Sequence, residues 1–273
     1  MKLSGSPTEL AGGKLVLDRP AEAVARLTIR NAAKRNALDH DILDAIADVM
    51  PQLDDGIETR CVLIAGSEKM FSAGYDIGGI PDEVFAEEAE RLVAHPFSRA
   101  IEAVEAFPFP TVAVVNGHAL GGGLELALAC DLRMAASGSK LGMPPAKLGL
   151  IYSHTGIQLF LDAIGAARTR ELFFTGRNID AGRAEQIGLV NWAVPSEEID
   201  AQSVALAAEI AGNAPISLKG NKQIIGRLLG AVRLDPDEEK GVIDLRLSSF
   251  RTDDFREGVK AFGEKRKPVW RGR

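Results

Sequence analysis

The chain has few cysteines and no long apolar run. Its 273 residues include only Cys61 and Cys130, each inside an apolar stretch. Two buried, reduced thiols imply neither a disulfide framework nor an oxidising compartment. No uncharged apolar segment approaches the length that spans a bilayer, and Met1–Leu10 lacks the apolar core of a signal peptide. We therefore expect a cytoplasmic protein that has no membrane partner.

An excess of positive charge is also missing. The formal net charge is −6, which gives no electrostatic reason to expect nucleic acid as a partner. The motifs C-x-x-C, H-E-x-x-H and G-x-S-x-G do not occur, and neither a Rossmann nor a P-loop glycine pattern is present. We expect no metal site. Apolar residues make up 46% of the chain and charged residues 26%, as in ordinary globular proteins.

Short apolar runs alternate with helical patterns through the first two thirds of the chain. Cys61–Ala65 and Thr111–Val115 have the composition of buried strands, and each is followed by a glycine-containing loop and then a helical pattern. This alternation predicts an α/β protein with parallel strands in a wound, spiral-like sheet. Residues 1–13 are small and polar, and we predict a disordered N-terminal tail there. From Ala166 onward the pattern is mostly helical.

The stretch Thr111–Asp131 combines a strand, three glycines and a helix. Gly121–Gly123 precede an apolar helical run in which Glu125 is the one charge. The first N–H groups of a helix have no partner inside it, and the helix dipole makes that end positive. Glycines let a ligand approach such a backbone. The pattern favours an oxyanion site beside an acid or base; close packing and a favourable dipole partner are the plain alternative.

Five segments together resemble the crotonase superfamily, also called the enoyl-CoA hydratase/isomerase family. They are RNAAKRNAL at Arg30–Leu38, MFSAGYDI at Met70–Ile77, NGHALGGGLELALACD at Asn116–Asp131, LGMPPAKLGL at Leu141–Leu150 and EGVKAFGEKRKP at Glu257–Pro268. The resemblance implies a crotonase-like spiral of ββα turns with a C-terminal helical oligomerisation region. We place the spiral core at 14–205 and the helical trimerisation region at 206–273.

The same resemblance implies the substrate and the site. The substrate would be an acyl-CoA thioester, with coenzyme A part of the substrate and no other cofactor. The backbone N–H groups of Tyr75 and Gly122 would form an oxyanion hole for the thioester enolate, with Glu125 as the catalytic acid or base. The assembly would be a homotrimer or a dimer of trimers. The positions expected to bind CoA are Lys34, Ala37, Ala73, Asp76, Ile77 and Lys265.

One departure from the family pattern bears on the reaction. Hydratases of this family act on one water with two glutamates, of which Glu125 matches the first. The second should follow the proline of the motif Gly142–Pro145, where this chain has Pro145 instead. Proline cannot carry a proton, so the two-carboxylate mechanism is incomplete. This substitution puts efficient hydration in doubt.

The segment after Pro145 is similar to the methylmalonyl-CoA decarboxylase-like branch of the family. Tyr152 matches a tyrosine that orients the substrate carboxylate there, and we also expect His154 near the acyl group. The alternative for His154 is a partner for a helix N-terminus or a subunit contact. The leading hypothesis is an enoyl-CoA hydratase/isomerase-family lyase with decarboxylase-like or single-glutamate chemistry. Hydration or double-bond isomerisation by Glu125, and acyl-CoA binding without catalysis, are the alternatives.

Overall fold

The computed structural model describes residues 6–76, 96–230 and 234–272. The strands are β1 (Thr8–Leu10), β2 (Leu15–Ala21), β3 (Val24–Ile29), β4 (Cys61–Gly66), β5 (Met70–Ser72), β6 (Thr111–Val115), β7 (His118–Leu120), β8 (Leu132–Ala136), β9 (Lys140–Gly142), β10 (Ile179–Asp180) and β11 (Trp192–Val194). The helices are α1 (His40–Gln52), α2 (Ser98–Ala106), α3 (Gly122–Leu128), α4 (His154–Thr175), α5 (Ala181–Gln186), α6 (Ile199–Gly212), α7 (Pro215–Leu229), α8 (Pro236–Ser249) and α9 (Asp253–Gly263).

Two sheets are built by one repeated turn. The larger sheet has the order β1-β2-β3-β4-β6-β8-β11, and the smaller has the order β10-β9-β7-β5. β4, β6 and β8 pair in parallel in the first sheet, while β5, β7 and β9 pair in parallel in the second. Each turn therefore places one strand in each sheet before its helix. This is the predicted α/β spiral of ββα turns.

The centre of the larger sheet is formed by the strands that the sequence predicts most clearly. Every residue of β4 and of β6 is buried, as expected for central parallel strands covered on both faces. α1 packs its apolar side on the sheet, and the Asp39 carboxylate caps its first turn by accepting from Ile42 N. Cys61 and Cys130 are buried free thiols. Burial raises the pKa of each to about 12.

Two expectations about local structure need correction. The predicted disordered tail over 1–13 is wrong for its second half, because Thr8–Leu10 pairs with β2 and Ala11–Gly13 forms a 3-10 turn. The predicted alternation of one strand with one helix also omits the short second strand of each turn. These strands are β5, β7 and β9. Each has only three residues, too few for a period-two pattern to stand out.

The C-terminal helices are anchored to the spiral through named polar contacts. Lys222 Nζ of α7 donates to Asp131 Oδ2 at 2.7 Å and to the Phe109 carbonyl at 3.1 Å. The same Asp131 oxygen accepts from Thr111 N, where β6 begins. α7 leaves large apolar side chains exposed, among them Ile216, Ile224, Ile225, Leu228 and Leu229. In the part of the chain that the structure describes, no helix has the length and apolar character needed to cross a membrane.

Candidate active site

Glu125 lies on a short helix that is buried along its whole length. α3 follows β7 through Gly121, whose φ of 53° lies in the left-handed region that glycine adopts readily. All seven residues of α3 are buried, and Glu125 is only 3% exposed. Its neighbours on the helix are leucines and alanines, which fill the core. The fold thus places one carboxylate in an apolar interior.

Two phenols meet this carboxylate. The hydroxyl of Tyr75 lies 3.4 Å from Glu125 Oε2, and the hydroxyl of Tyr152 donates to the same oxygen. The two hydroxyls are 3.4 Å apart. The chain has only two tyrosines, and both converge on Glu125. Residues from three separate segments therefore form one hydrogen-bonded cluster.

The pKa values of this cluster are set mainly by burial. Burial raises the pKa of Glu125 to about 7, although the hydrogen bond from Tyr152 and the charge of Arg246 act in the opposite direction. Burial also raises the pKa of Tyr75 and of Tyr152 well above the usual phenol value. The phenols are therefore neutral hydrogen-bond donors at neutral pH. Glu125 can both release and accept a proton there.

Glycines make the close approach of these side chains possible. A Cβ atom on Gly156, in the first turn of α4, would lie 2.6 Å from Glu125 Oε1 and 2.7 Å from Tyr152 Cε1. A Cβ atom on Gly122 would lie 2.9 Å from Tyr75 Cε1. The Tyr75 ring packs edge-to-face on Phe97, with centroids 4.7 Å apart. The tyrosine rings are thus held by packing, which fixes where their hydroxyls point.

Two backbone N–H groups near Glu125 have no acceptor. Gly74 has a φ of 95°, and a Cβ atom there would lie 3.1 Å from Gly122 N, so the two loops almost touch. Tyr75 pairs with Leu38 as an isolated bridge in which its own N–H is not used. Within residues 6–76, 96–230 and 234–272, neither Tyr75 N nor Gly122 N donates a hydrogen bond. Both are free to bind an oxygen atom.

Most of the residues expected to bind CoA lie on two interleaved loops. Ala73 N donates to the Arg35 carbonyl, and Asp76 N donates to the Leu38 carbonyl. Lys34 Nζ and Asp76 Oδ2 form an ion pair at 2.5 Å, and Ala37 is buried beside them. Ile77 lies outside the described residues. Lys265 follows α9 in the C-terminal segment, and the described contacts do not bring it to these loops.

The remaining positions singled out from the sequence are Pro145 and His154. Pro145 is buried at the start of a 3-10 turn, so the position expected for a second acid holds an apolar ring. The His154 Nε2 atom lies 3.1 Å from Glu239 Oε1 of α8.

Two features of the site were missed by the sequence analysis. Tyr75 was chosen for its backbone N–H, while its hydroxyl also contacts Glu125. The scarcity of tyrosine in the chain was the available signal. Arg246 was not considered, although its charge lowers the pKa of Glu125 and of Tyr75. No cluster of three or more metal-binding side chains occurs among the described residues.

The two-sheet spiral of ββα turns with a buried glutamate after a glycine triplet is the crotonase architecture. A family model described as enoyl-CoA hydratase/isomerase matches residues 19–273. The chain belongs to this enoyl-CoA hydratase/isomerase family. It is 34% identical over 250 residues to a probable enoyl-CoA hydratase of Mycobacterium tuberculosis, covering 90% of this chain and 94% of the relative. A short-chain-enoyl-CoA hydratase of Clostridium acetobutylicum is also 34% identical, over 89% and 92% of the two chains.

Solved structures with the same fold include two kinds of family member. A methylmalonyl-CoA decarboxylase in complex with 2-nitronate-propionyl-CoA superposes with a TM-score of 0.86 at 29% identity, covering 95% of this chain and 99% of that one. An enoyl-CoA hydratase from Bacillus anthracis gives a TM-score of 0.73 at 31% identity, covering 95% and 100%. At equal coverage of this chain, its backbone is more similar to the decarboxylase.

Proposed function

We propose that the protein decarboxylates an acyl-CoA thioester that carries a carboxylate on the carbon next to the thioester carbonyl. One observation carries this proposal. The partners of Glu125 are the two phenols Tyr75 and Tyr152, and the position expected for a second glutamate is Pro145. Such a site offers hydrogen-bond donors to a substrate carboxylate, and among the described residues no second carboxylate is paired with Glu125 to activate a water for hydration.

The chemistry needs an oxyanion site more than a base. The bond between the substrate α-carbon and its carboxylate breaks, carbon dioxide leaves, and the electron pair moves into the thioester to form an enolate. The N–H groups of Tyr75 and Gly122 would hold the enolate oxygen, because both are free and adjacent. A proton then returns to the α-carbon. Protonated Glu125, with its pKa near 7, is the candidate donor.

A neutral glutamic acid suits this reaction for a further reason. An ionised Glu125 would repel a substrate carboxylate in a poorly solvated site. Burial, which raises the pKa of Glu125 to about 7, reduces that repulsion at and below neutral pH. The neutral phenols of Tyr75 and Tyr152 can donate to the substrate carboxylate in the same region. The greater structural similarity to the methylmalonyl-CoA decarboxylase supports the same choice.

Steady-state assays with methylmalonyl-CoA, ethylmalonyl-CoA and crotonyl-CoA test the proposal. We expect release of carbon dioxide from one or both malonyl-type thioesters and slow or no hydration of crotonyl-CoA. Fast hydration of crotonyl-CoA without decarboxylation would overturn the proposal. Binding of these thioesters without any product would favour a non-catalytic acyl-CoA-binding protein.

Hydration or isomerisation by Glu125 is the second candidate. It is favoured by relatives that are named as enoyl-CoA hydratases and by a carboxyl whose pKa near 7 suits proton transfer. The variant Glu125→Gln separates the candidates. Isomerisation should fall by about 10²-fold or more because Glu125 would shuttle the proton itself, while decarboxylation should fall less because loss of carbon dioxide precedes the proton transfer and needs no base. A matching collapse of decarboxylation would show that its protonation step depends on Glu125.

We also propose that the protein forms a homotrimer or a dimer of trimers. The support is the apolar surface of α7, where Ile216 is 90% exposed and Leu228 is 70% exposed. A monomer would leave this surface in water, which is unfavourable. Sedimentation equilibrium should give a mass of three or six chains. A mass of one chain at micromolar concentration would contradict the proposal.

A further inference from the structure

Helix α8 turns one face toward the segment that carries Tyr152. Glu239, near its beginning, contacts His154, with Oε1 3.1 Å from Nε2. Ser249, at its end, accepts a hydrogen bond from Ile151 N at 3.1 Å. Both contacts fall on residues 151–154, directly beside Tyr152. The face of α8 between Glu239 and Ser249 therefore lies over this part of the site.

Arg246 lies on that face. It follows Glu239 by seven residues and precedes Ser249 by three, and these spacings keep residues on one side of a helix. Its side chain is half-buried, and the guanidinium lies 6.0 Å from the centroid of the Phe250 ring. Among the described residues, the guanidinium has no hydrogen-bond acceptor and no ion-pair partner. A half-buried cation is thus held in place with its donors unused.

The charge of Arg246 acts on the reacting groups. It lowers the pKa of both Glu125 and Tyr75, in opposition to burial. A charge has this effect on buried groups only when it lies near them. Arg246 therefore acts on the acyl end of the site. The loops of Lys34 and Asp76, expected to hold CoA, have an ion pair of their own.

We propose that Arg246 binds the carboxylate of the acyl group and so makes the enzyme selective for acyl-CoA thioesters that carry a second negative charge. This inference rests on the proposed decarboxylase function and names the residue that selects its substrate. A guanidinium presents a planar fork of donors that matches a carboxylate. Because Glu125 is largely protonated below its pKa, it does not supply the negative charge there. A substrate carboxylate is the anion that would form an ion pair with Arg246.

Binding of two stable thioethers tests the proposal. S-(2-carboxypropyl)-CoA and S-propyl-CoA differ by one carboxylate, and neither can lose carbon dioxide by the thioester route. Isothermal titration calorimetry on the full-length protein should give tighter binding of the carboxylated ligand. Arg246→Gln should weaken that binding by about ten- to hundredfold, as expected for a charge-assisted hydrogen bond. Binding of S-propyl-CoA should stay within about twofold.

Two further variants complete the test. Arg246→Lys retains the charge and should keep part of the preference for the carboxylated ligand. Arg251→Gln removes an exposed charge just beyond the end of α8 and should change neither affinity. Thermal unfolding shows whether each variant is folded, and Arg246→Lys still tests the proposal if Arg246→Gln does not fold. Equal weakening of both thioethers, or no weakening, would overturn it.

The outcome for Arg246 can be separated from the outcome for the reaction. The wild-type protein could prefer S-(2-carboxypropyl)-CoA through Arg246 and yet not decarboxylate methylmalonyl-CoA. That result would support the carboxylate site at Arg246 and refute the decarboxylase proposal. Wild type and Arg246→Gln could instead decarboxylate methylmalonyl-CoA with the same kcat/KM. That result would support the reaction and refute the role of Arg246.

Discussion

The pKa of a glutamate side chain is raised in the buried site around Glu125 and lowered in the C-terminal turn around Glu257. Burial raises the pKa of Glu125 to about 7. Near the C-terminus, Arg266 donates to both oxygens of Glu257 at 2.5 and 2.8 Å. This pair, followed by the N–H of Val269, lowers the pKa of Glu257 to about 2.

The difference separates a group arranged for chemistry from one arranged for structure. Glu257 has a cation and an N–H group that favour its charge, so it stays ionised and ties the chain end to α9. Among the described residues, the Glu125 side chain receives hydrogen bonds from the phenols of Tyr75 and Tyr152, and these compensate its burial in part. An enzyme tolerates such a cost at a site where a proton must move near neutral pH. The following predictions test this contrast, in order of decreasing effect on stability.

The largest expected effect is a dependence of stability on pH that comes from Glu125. Its folded pKa is raised from 4.5 to about 7, so the folded state binds the proton more tightly than the unfolded state. The free energy of unfolding should fall by about 3 kcal/mol as the pH rises from 4.5 through 7. Urea unfolding at several pH values measures this slope, and Glu125→Gln should remove it. An unchanged slope in Glu125→Gln would contradict the assignment.

The same titration predicts the direction of the activity profile. If the protonated form of Glu125 supports decarboxylation, kcat/KM should fall as the pH rises through about 7. Hydration or isomerisation that uses Glu125 as a base should instead lose activity as the pH falls through the same range. The profile of kcat/KM against pH, which reports the pKa of the free enzyme, therefore distinguishes the two candidate reactions. A flat profile within about one pH unit on each side of the pKa would mean that Glu125 does not titrate in the reaction.

Gly156→Ala should have the next largest effect. The added methyl group would lie 2.6 Å from Glu125 Oε1, and such overpacking costs about 1–3 kcal/mol. It should also displace the carboxylate and lower kcat. Gly241→Ala is the matched control in α8, because Gly241 is exposed and nothing lies within 4 Å of its new Cβ atom. That control should stabilise the helix by about 0.5–1 kcal/mol. Equal Tm changes in the two variants would contradict the crowded site.

Removing the phenol hydroxyls one at a time should sharpen the comparison further. Tyr152→Phe should cost more stability than Tyr75→Phe, because Tyr152 makes the closer contact with Glu125 and Tyr75 lies 3.4 Å from it. We expect the free energy of unfolding to fall by about 1–2 kcal/mol in Tyr152→Phe and by less than about 1 kcal/mol in Tyr75→Phe. Tyr152→Phe should also raise the pKa of Glu125, because the lost hydrogen bond lowers it. Urea unfolding at several pH values checks this, because the pH at which the unfolding free energy stops falling should be higher in Tyr152→Phe than in wild type.

Glu257→Gln should have the smallest effect. The pair with Arg266 is near the surface, where solvent screens its attraction. The lowered pKa of Glu257 means that its contribution is present above pH 4.5 and declines as the pH falls toward 2. The Tm of Glu257→Gln should therefore lie slightly below wild type at pH 7 and approach it in acid. A decrease at pH 7 larger than that of Gly156→Ala would reverse the contrast.

Much of the fold and part of the site could be predicted from the sequence because local patterns carry them. The buried strands β4 and β6, the cap at Asp39 and the helix that carries Glu125 all depend on residues close together in the chain. The free N–H of Gly122 follows in the same way from its position at a helix start. The ionised or neutral state of Glu125 depends on burial by the whole fold.

The remaining parts depend on contacts between distant residues. Tyr75 and Tyr152 are 77 positions apart, yet their hydroxyls lie 3.4 Å from each other. Helix α8, which carries Arg246, is attached to residues 151–154 through Glu239 and Ser249. No local pattern reports such an arrangement. The contact of His154 with Glu239 also could not be chosen over a position near the acyl group before the place of α8 was known.

The contacts of Asp131 couple local unfolding of helix α7 to local unfolding of strand β6. Its Oδ2 atom serves both the first residue of β6 and Lys222 of α7, so detachment of α7 would remove a charge partner from the strand that leads to the glycine triplet. Local opening of the C-terminal helices should then loosen the amides of β6. Hydrogen exchange in Lys222→Met should accelerate at Thr111 N as well as along α7. The C-terminal helices and the strand before the site would thus share one cooperative unit of unfolding.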